Sequence, residues 1–213
     1  MDFIQRLQEA AERSNSIVCV GFDPDVGKIP LQGNPSEVIP KFFSDMMDAF
    51  EAEDARPAII KPNSAFYEQY GFDGLKALKK VIEDCRRRGY LVILDAKRAD
   101  IGNTSLAYAK SVFDFWGADA VTVAPYMGSD SVSPFIEYCS KGKGVYILNR
   151  TSNKGAVDIQ NLKIKDEHGN ENPIYMETAK KIVDWSKPGT GAVVGATYPG
   201  ELEQISRFYV NSG

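Results

Sequence analysis

The chain has 213 residues, 43% of them hydrophobic and 25% charged, a balance that lets it bury a core and excludes disorder as its main state. Its 25 lysines and arginines against 29 aspartates and glutamates give a formal charge of −4, which excludes the basic footprint of a nucleic-acid binder. Apolar runs are short, far below the roughly 20 residues of a membrane-spanning helix.

In chain order, residues 1–14 carry Asp2, Arg6, Glu9, Glu12 and Arg13 without the apolar stretch of a secretory signal, so the cytoplasm is the expected compartment. Phe3, Ile4, Leu7, Ala10 and Ala11 predict an amphipathic helix there. Six short runs follow, at 17–21, 58–61, 91–97, 120–124, 144–148 and 192–195, continuously apolar as strands buried on both faces are. Between them helical spacing recurs. Leu75, Leu78, Val81, Ile82 and Cys85 repeat at three and four residues after Asp73, an expected N-cap, with Gly89 at the C′ position. Leu106, Ala109, Val112, Phe113 and Trp116 do the same up to Gly117. Asn172 and Pro173 are the expected N-cap and first residue of a helix reaching Trp185, and a short last helix is expected over 201–210.

This alternation predicts an α/β fold, a parallel sheet with helices outside it. Gly189, Gly191 and Gly195 have the wrong spacing for a dinucleotide fingerprint, and no Walker A sequence occurs. The strands end instead in charge: Asp23, Lys61, and Asp95 with Lys97. In a (β/α)8 TIM barrel all strand C-termini converge on one mouth, where these side chains would meet. The expectation is a single TIM-barrel domain over 1–213, of which about six strands are visible. Only residues 196–213 follow the sixth run, too few for two further strand and helix units, so the barrel is expected to be C-terminally incomplete.

Cys19, Cys85 and Cys139 are odd in number and lack a C-x-x-C pair, so reduced thiols packed as small hydrophobes are expected. The single histidine, His168, sits in a polar stretch without zinc-spaced neighbours, and neither histidine catalysis nor a metal site is expected. The richest stretch is 94–104, Leu-Asp-Ala-Lys-Arg-Ala-Asp-Ile-Gly-Asn-Thr. Asp95 and Lys97 lie two apart on a strand whose Leu91 and Ile93 face the barrel interior, so both charges are expected on that face. Asp100 follows past the strand end, able to turn back to the same site or reach a neighbour. A lone D-x-K is more often the salt-bridged start of a loop. Asp23 and Lys61 on adjacent strand ends turn the balance toward an active site, because half-buried charges are costly unless paired and shift one another's pKa when paired.

These residues resemble the orotidine 5′-monophosphate decarboxylase family. The motif D-x-K-x-x-D-I-x-x-T stands here as Asp95, Lys97, Asp100, Ile101 and Thr104; the first-strand aspartate as Gly21-Phe-Asp23-Pro; the second-strand lysine as Ile60-Lys61-Pro-Asn63. The segment Thr151-Ser-Asn-Lys-Gly-Ala156 is similar to the family's pyrimidine-recognition loop, and the full motif is similar to the longer bacterial and archaeal branch. The likeness spans 17–200, with 157–172 a polar surface excursion.

The resemblance implies decarboxylation of orotidine 5′-monophosphate to uridine 5′-monophosphate in pyrimidine biosynthesis, without a cofactor. It implies Lys97 as cationic stabiliser and proton donor to C6, Asp95 against the substrate carboxylate, and Lys61 linking Asp95 to the ribose. Asp23 would accept from ribose hydroxyls and Ser152 would meet the base. It implies a homodimer in which Asp100 and Thr104 complete the neighbouring site, with the substrate as the only other partner and no nucleic acid or membrane. The family's phosphate-binding residues are expected beyond Gly213. Two alternatives stay open. One is a Mg2+-dependent phosphosugar decarboxylase or aldolase of the same barrel group, against which Lys61 stands where a carboxylate would be wanted. The other is a non-catalytic barrel fragment.

Overall fold

The computed structural model describes residues 1–165 and 169–212, so His168 lies outside the described residues. Six strands form one parallel, curled sheet: β1 (Cys19–Phe22), β2 (Ile59–Pro62), β3 (Leu91–Arg98), β4 (Ala120–Val123), β5 (Gly144–Arg150) and β8 (Thr190–Val194). They pair in chain order, β1-β2-β3-β4-β5-β8, and among the described residues β1 and β8 each have one strand neighbour. The result is part of a TIM-barrel wall. Each expected strand is present within two residues at either end, and the last begins earlier than expected because Thr190 and Gly191 already pair with Val145 and Tyr146.

In the middle of the wall, from β2 to β5, both faces are largely covered, which is why these strands read as continuous apolar runs, while the edge strands β1 and β8 are only partly buried. On the inner face Ile59, Leu91, Ile93 and Ala120 gather with Phe3 and Ala10 of the N-terminal helix α1 (Phe3–Ser14). That helix starts in a capping box, Asp2 with Gln5, and plugs the end of the barrel opposite the mouth. Phe3 lies so close to Gly144 that a Cβ there would sit 2.5 Å from its ring. Arg6 adds an ion pair to buried Asp119 at 2.5 Å. The outer residues Ile60, Val92, Leu94, Val121, Val145 and Ile147 pack under the helical layer.

Two helices supply much of that layer. The first, α2 (Pro35–Ala52), has no counterpart in the expectations because Pro40 interrupts its pattern. Proline removes the N–H that would bond the Ser36 carbonyl, and Lys80 Nζ takes that carbonyl at 3.0 Å, so the helix continues. The second comes after the single turn α3 (Ala65–Glu68): α4 (Gly71–Arg87), ended by Gly89 at φ +79 as the sequence predicts. Its start corrects the expectation. Tyr70, not Asp73, is the N-cap, and Asp73 accepts instead from Asn34 Nδ2 at 2.9 Å. The α3 turn runs almost directly into α4, and Gly74 accommodates the Tyr67 carbonyl, which a Cβ would meet at 1.8 Å.

After β3, α5 (Gly102–Lys110) runs into a π-helical turn, Ser111–Trp116, stopped by Gly117 at φ +75. After β4 comes α6 (Ser129–Ile136). The excursion after β5 contains an antiparallel hairpin, β6 (Lys163–Lys165) with β7 (Glu171–Pro173), which corrects a second cap. Asn172 and Pro173 belong to β7, Pro173 itself is the N-cap, and α7 runs from Ile174 to Trp185. The excursion is also less polar on its surface than expected, with Val157, Ile159, Leu162 and Ile164 exposed. The final helix α8, Pro199–Ser212, is longer than expected. Cys85 and Cys139 are buried, but Cys19 is exposed, because β1 lies at the edge of the wall.

Candidate active site

The strand ends bring opposite charges together at the mouth. Asp95, 7% exposed, is the centre. Its Oδ1 accepts from Lys97 Nζ at 2.7 Å and from Thr122 Oγ1 at 2.7 Å, while its Oδ2 accepts from Lys61 Nζ at 3.2 Å. Burial alone would raise the carboxyl's pKa. The hydrogen bonds from Lys97 and Thr122 and the two ammonium charges outweigh it, so the net shift is downward and Asp95 is an anion at neutral pH.

Simple strand alternation does not account for this geometry. Register between β3 and β4 slips between Leu94 and Arg98, and Lys97 stands at φ +44, a conformation that costs a non-glycine residue about 1 kcal/mol or more. Thr122 Oγ1 takes the Lys97 N–H at 3.0 Å. One hydroxyl thus holds the lysine's backbone and the aspartate's side chain. Sequence reasoning missed Thr122, although a signal existed: it lies two residues from Ala120, on the inner face of a strand otherwise wholly apolar.

Asp23 is tied in through the backbone. Its Oδ1 accepts from the Asn63 N–H at 3.2 Å, Asn63 continues the pairing of β2 to reach Asp95, and Ser64 N–H donates to the Asp95 carbonyl. Asp23, Lys61, Asp95 and Lys97 therefore form one constellation. Asp100 and Thr104 do not join it: Asp100 accepts from the Ile101 N–H at 2.8 Å, and Thr104 is exposed on the first turn of α5. Ser152 is exposed just past β5, and a Cβ on Gly195 at the end of β8 would lie 3.0 Å from it. Among the described residues no three His, Cys, Asp or Glu side chains form a metal-ligand group, and no helix is long and apolar enough to cross a membrane.

A family model described as orotidine 5′-phosphate decarboxylase / HUMPS family matches residues 16–210. The chain belongs to this family. Among curated relatives, the orotidine 5′-phosphate decarboxylase of Roseiflexus castenholzii is 42% identical over 210 residues, covering 97% of this chain and 73% of the relative. That of Dehalococcoides mccartyi strain 195 is 41% identical over 214 residues, covering 98% and 74%. Among solved structures, the Leishmania donovani OMP decarboxylase superposes with a TM-score of 0.82 at 36% identity, covering 97% of this chain and 76% of that one. The chain thus spans about three quarters of the length of the relatives it matches. The D-x-K-x-x-D-I-x-x-T segment, the two strand-end charges and the loop after β5 all lie inside the matched range.

Proposed function

We propose that this chain decarboxylates orotidine 5′-monophosphate to uridine 5′-monophosphate, with Lys97 as cationic stabiliser and proton donor. The observation that carries the proposal is the Lys61–Asp95–Lys97 ion-pair chain at the mouth of a barrel of this family. Breaking the C6–carboxylate bond leaves the electron pair on C6 in the plane of the pyrimidine ring, where it cannot delocalise into the π system. Stabilisation must therefore come from a nearby positive charge. The Lys97 ammonium supplies it, then delivers a proton to C6 as CO2 departs, and the amine regains its proton from water. Asp95 faces the substrate carboxylate. At ~4 Å and an effective dielectric of ~20 the two anions repel by about 4 kcal/mol, which, relieved as CO2 leaves, is worth roughly a thousandfold in rate.

In the same proposal Lys61 links Asp95 to the ribose, Asp23 accepts from ribose hydroxyls and Ser152 meets the base. The molecule works as a homodimer in which Asp100 and Thr104 complete the partner's site. In support, Phe66, Ile101, Tyr126 and Met127, which follow the ends of β2, β3 and β4, are exposed large hydrophobics on that face. The whole chain is read as one domain. A cytoplasmic location fits three unpaired cysteines.

The residues do not fit the Mg2+ chemistry of phosphosugar enzymes. Both oxygens of Asp95 already face ammonium groups, and a divalent cation there would be repelled by Lys61 and Lys97. The direct test is turnover of orotidine 5′-monophosphate by the purified chain and by Lys97→Ala. The variant is expected to fold, by circular dichroism, and to lose at least about 10^2- to 10^4-fold in kcat. Activity within tenfold of the unmodified chain would refute the role given to Lys97.

A further inference from the structure

The loop after β5 begins at a residue that is fixed at every polar atom. Thr151 N–H donates to Gln160 Oε1 at 2.9 Å, and the Thr151 carbonyl accepts from Arg150 Nη1 at 2.9 Å. The Thr151 hydroxyl accepts from Gln160 Nε2 at 2.8 Å and donates to Asn153 Oδ1 at 2.7 Å. Gln160 is in turn held by Arg150, whose Nη1 reaches Gln160 Oε1 at 3.2 Å. Arg150 is fully buried. Its Nε pairs with Glu201 on the first turn of α8, and its guanidinium lies over the Tyr198 ring at 4.6 Å. Burying a guanidinium is expensive, and here its Nη2 has no partner among the described residues. Ser152, the next residue, is the opposite case: it is exposed, and its hydroxyl takes part in none of the described hydrogen bonds.

We infer that Gln160, seated on Arg150, is a positioning residue that sets uracil selectivity by immobilising the backbone from which Ser152 projects. This rests on the reading of Ser152 as the base-contacting residue. A serine hydroxyl can donate or accept, so by itself it suits uracil and cytosine alike. The two bases invert donor and acceptor at N3 and at the C4 substituent. A frame that cannot rotate presents one pattern, and rejection of the wrong base follows because a polar group is then left unpaired. A merely loosened frame would accept both.

The test compares uridine and cytidine 5′-monophosphate, each by its dissociation constant from the full chain, together with kcat and KM for orotidine 5′-monophosphate. Gln160→Ala removes both clamps on Thr151. Thr151→Val, at a half-buried site and nearly isosteric, removes only the hydroxyl clamps and covers the case in which Gln160→Ala fails to fold. The expected result is that the preference for the uridine nucleotide falls about tenfold in Gln160→Ala and less in Thr151→Val, with KM rising more than kcat falls. In the Ser152→Ala background Gln160→Ala should add almost nothing, since the two act on one contact. A purely structural role would weaken both nucleotides equally and leave their ratio unchanged. An unchanged ratio in a folded variant, or full additivity with Ser152→Ala, would overturn the inference. If the unmodified chain neither turns over orotidine 5′-monophosphate nor prefers the uridine nucleotide, the proposed function itself fails and takes the inference with it.

Discussion

Thr122→Val isolates the contribution of one hydroxyl to the charge cluster. The side chain is 4% exposed and valine has nearly its shape, so no cavity opens and the change is confined to hydrogen bonding. Lost is the 2.7 Å bond to the Asp95 carboxylate, of a kind worth about 1.5–3 kcal/mol. The Lys97 N–H also loses its acceptor, but Lys97 is exposed and water can replace it at small cost. A methyl in place of the hydroxyl returns about 1 kcal/mol of burial. The net loss is therefore about 0.5–2 kcal/mol, which for a domain of this size lowers Tm by roughly 1–8 °C. Activity should suffer more. Lys97 sits at φ +44 and keeps that geometry partly through Thr122, so releasing it misplaces the ammonium, and kcat should fall about 10- to 100-fold. Calorimetric unfolding and the absorbance change on conversion of orotidine 5′-monophosphate measure the two effects, and Thr122→Ser should restore both. A Thr122→Val protein with unchanged Tm and kcat would refute the claim that this hydroxyl organises the site.

The depressed pKa of Asp95 has a signed consequence for stability. A carboxyl whose folded pKa lies below its unfolded value contributes fully above the ordinary range near 3.9 and loses that contribution as pH falls through the folded value. The difference in unfolding free energy between the unmodified chain and Asp95→Asn should thus be flat from about pH 5 to 8 and shrink only below about pH 4; a difference that instead grows in favour of the unmodified chain as pH falls from about 7 to 5 would show that burial wins over the lysines and raises the pKa. Mixing Lys97→Ala with Asp100→Ala subunits should give activity above either alone, because a heterodimer then holds one intact composite site. No rescue, once subunit exchange is demonstrated by mass or fluorescence, would place Asp100 in its own subunit's site. Prolonged treatment with a chelator should leave kcat unchanged, and restoration of lost activity by Mg2+ would move the chemistry to the phosphosugar class.

The legibility of this chain varied with how local the controlling physics is. The wall of parallel strands was plain, because burial on both faces forces unbroken runs such as the one ending at Leu94. Stops at Gly89 and Gly117 were equally plain, since each needs only a positive φ. Asp73 and Asn172 misled for the opposite reason. Both are good caps by type, but Asp73 is taken up by Asn34 and Asn172 by the β6–β7 hairpin. Helix α2 went unread because its proline is tolerated through a lysine forty residues away, a contact no local pattern contains. At the site, the charges announced themselves by standing at the ends of apolar strands. Their organiser, Thr122, did not, because a threonine inside a β-branched run looks like any other strand former. The Arg150–Gln160–Glu201 support is likewise invisible in sequence, since it joins the loop after β5 to the helix after β8.

The seat of α1 bears on how the chain assembles in time. Each strand of the wall pairs with one that precedes it by a few dozen residues, so most of the sheet can form as the chain lengthens. The first helix is different: Arg6 needs Asp119 and the Gly142 carbonyl, and Phe3 needs Gly144 and Tyr146. Contacts of such sequence separation are slow to find, because the intervening loop must close before they are rewarded. During synthesis α1 therefore emerges before every strand of the wall yet cannot complete its docking until β5 has followed, carrying an unburied apolar face in the meantime. That interval is when the nascent chain most needs a chaperone.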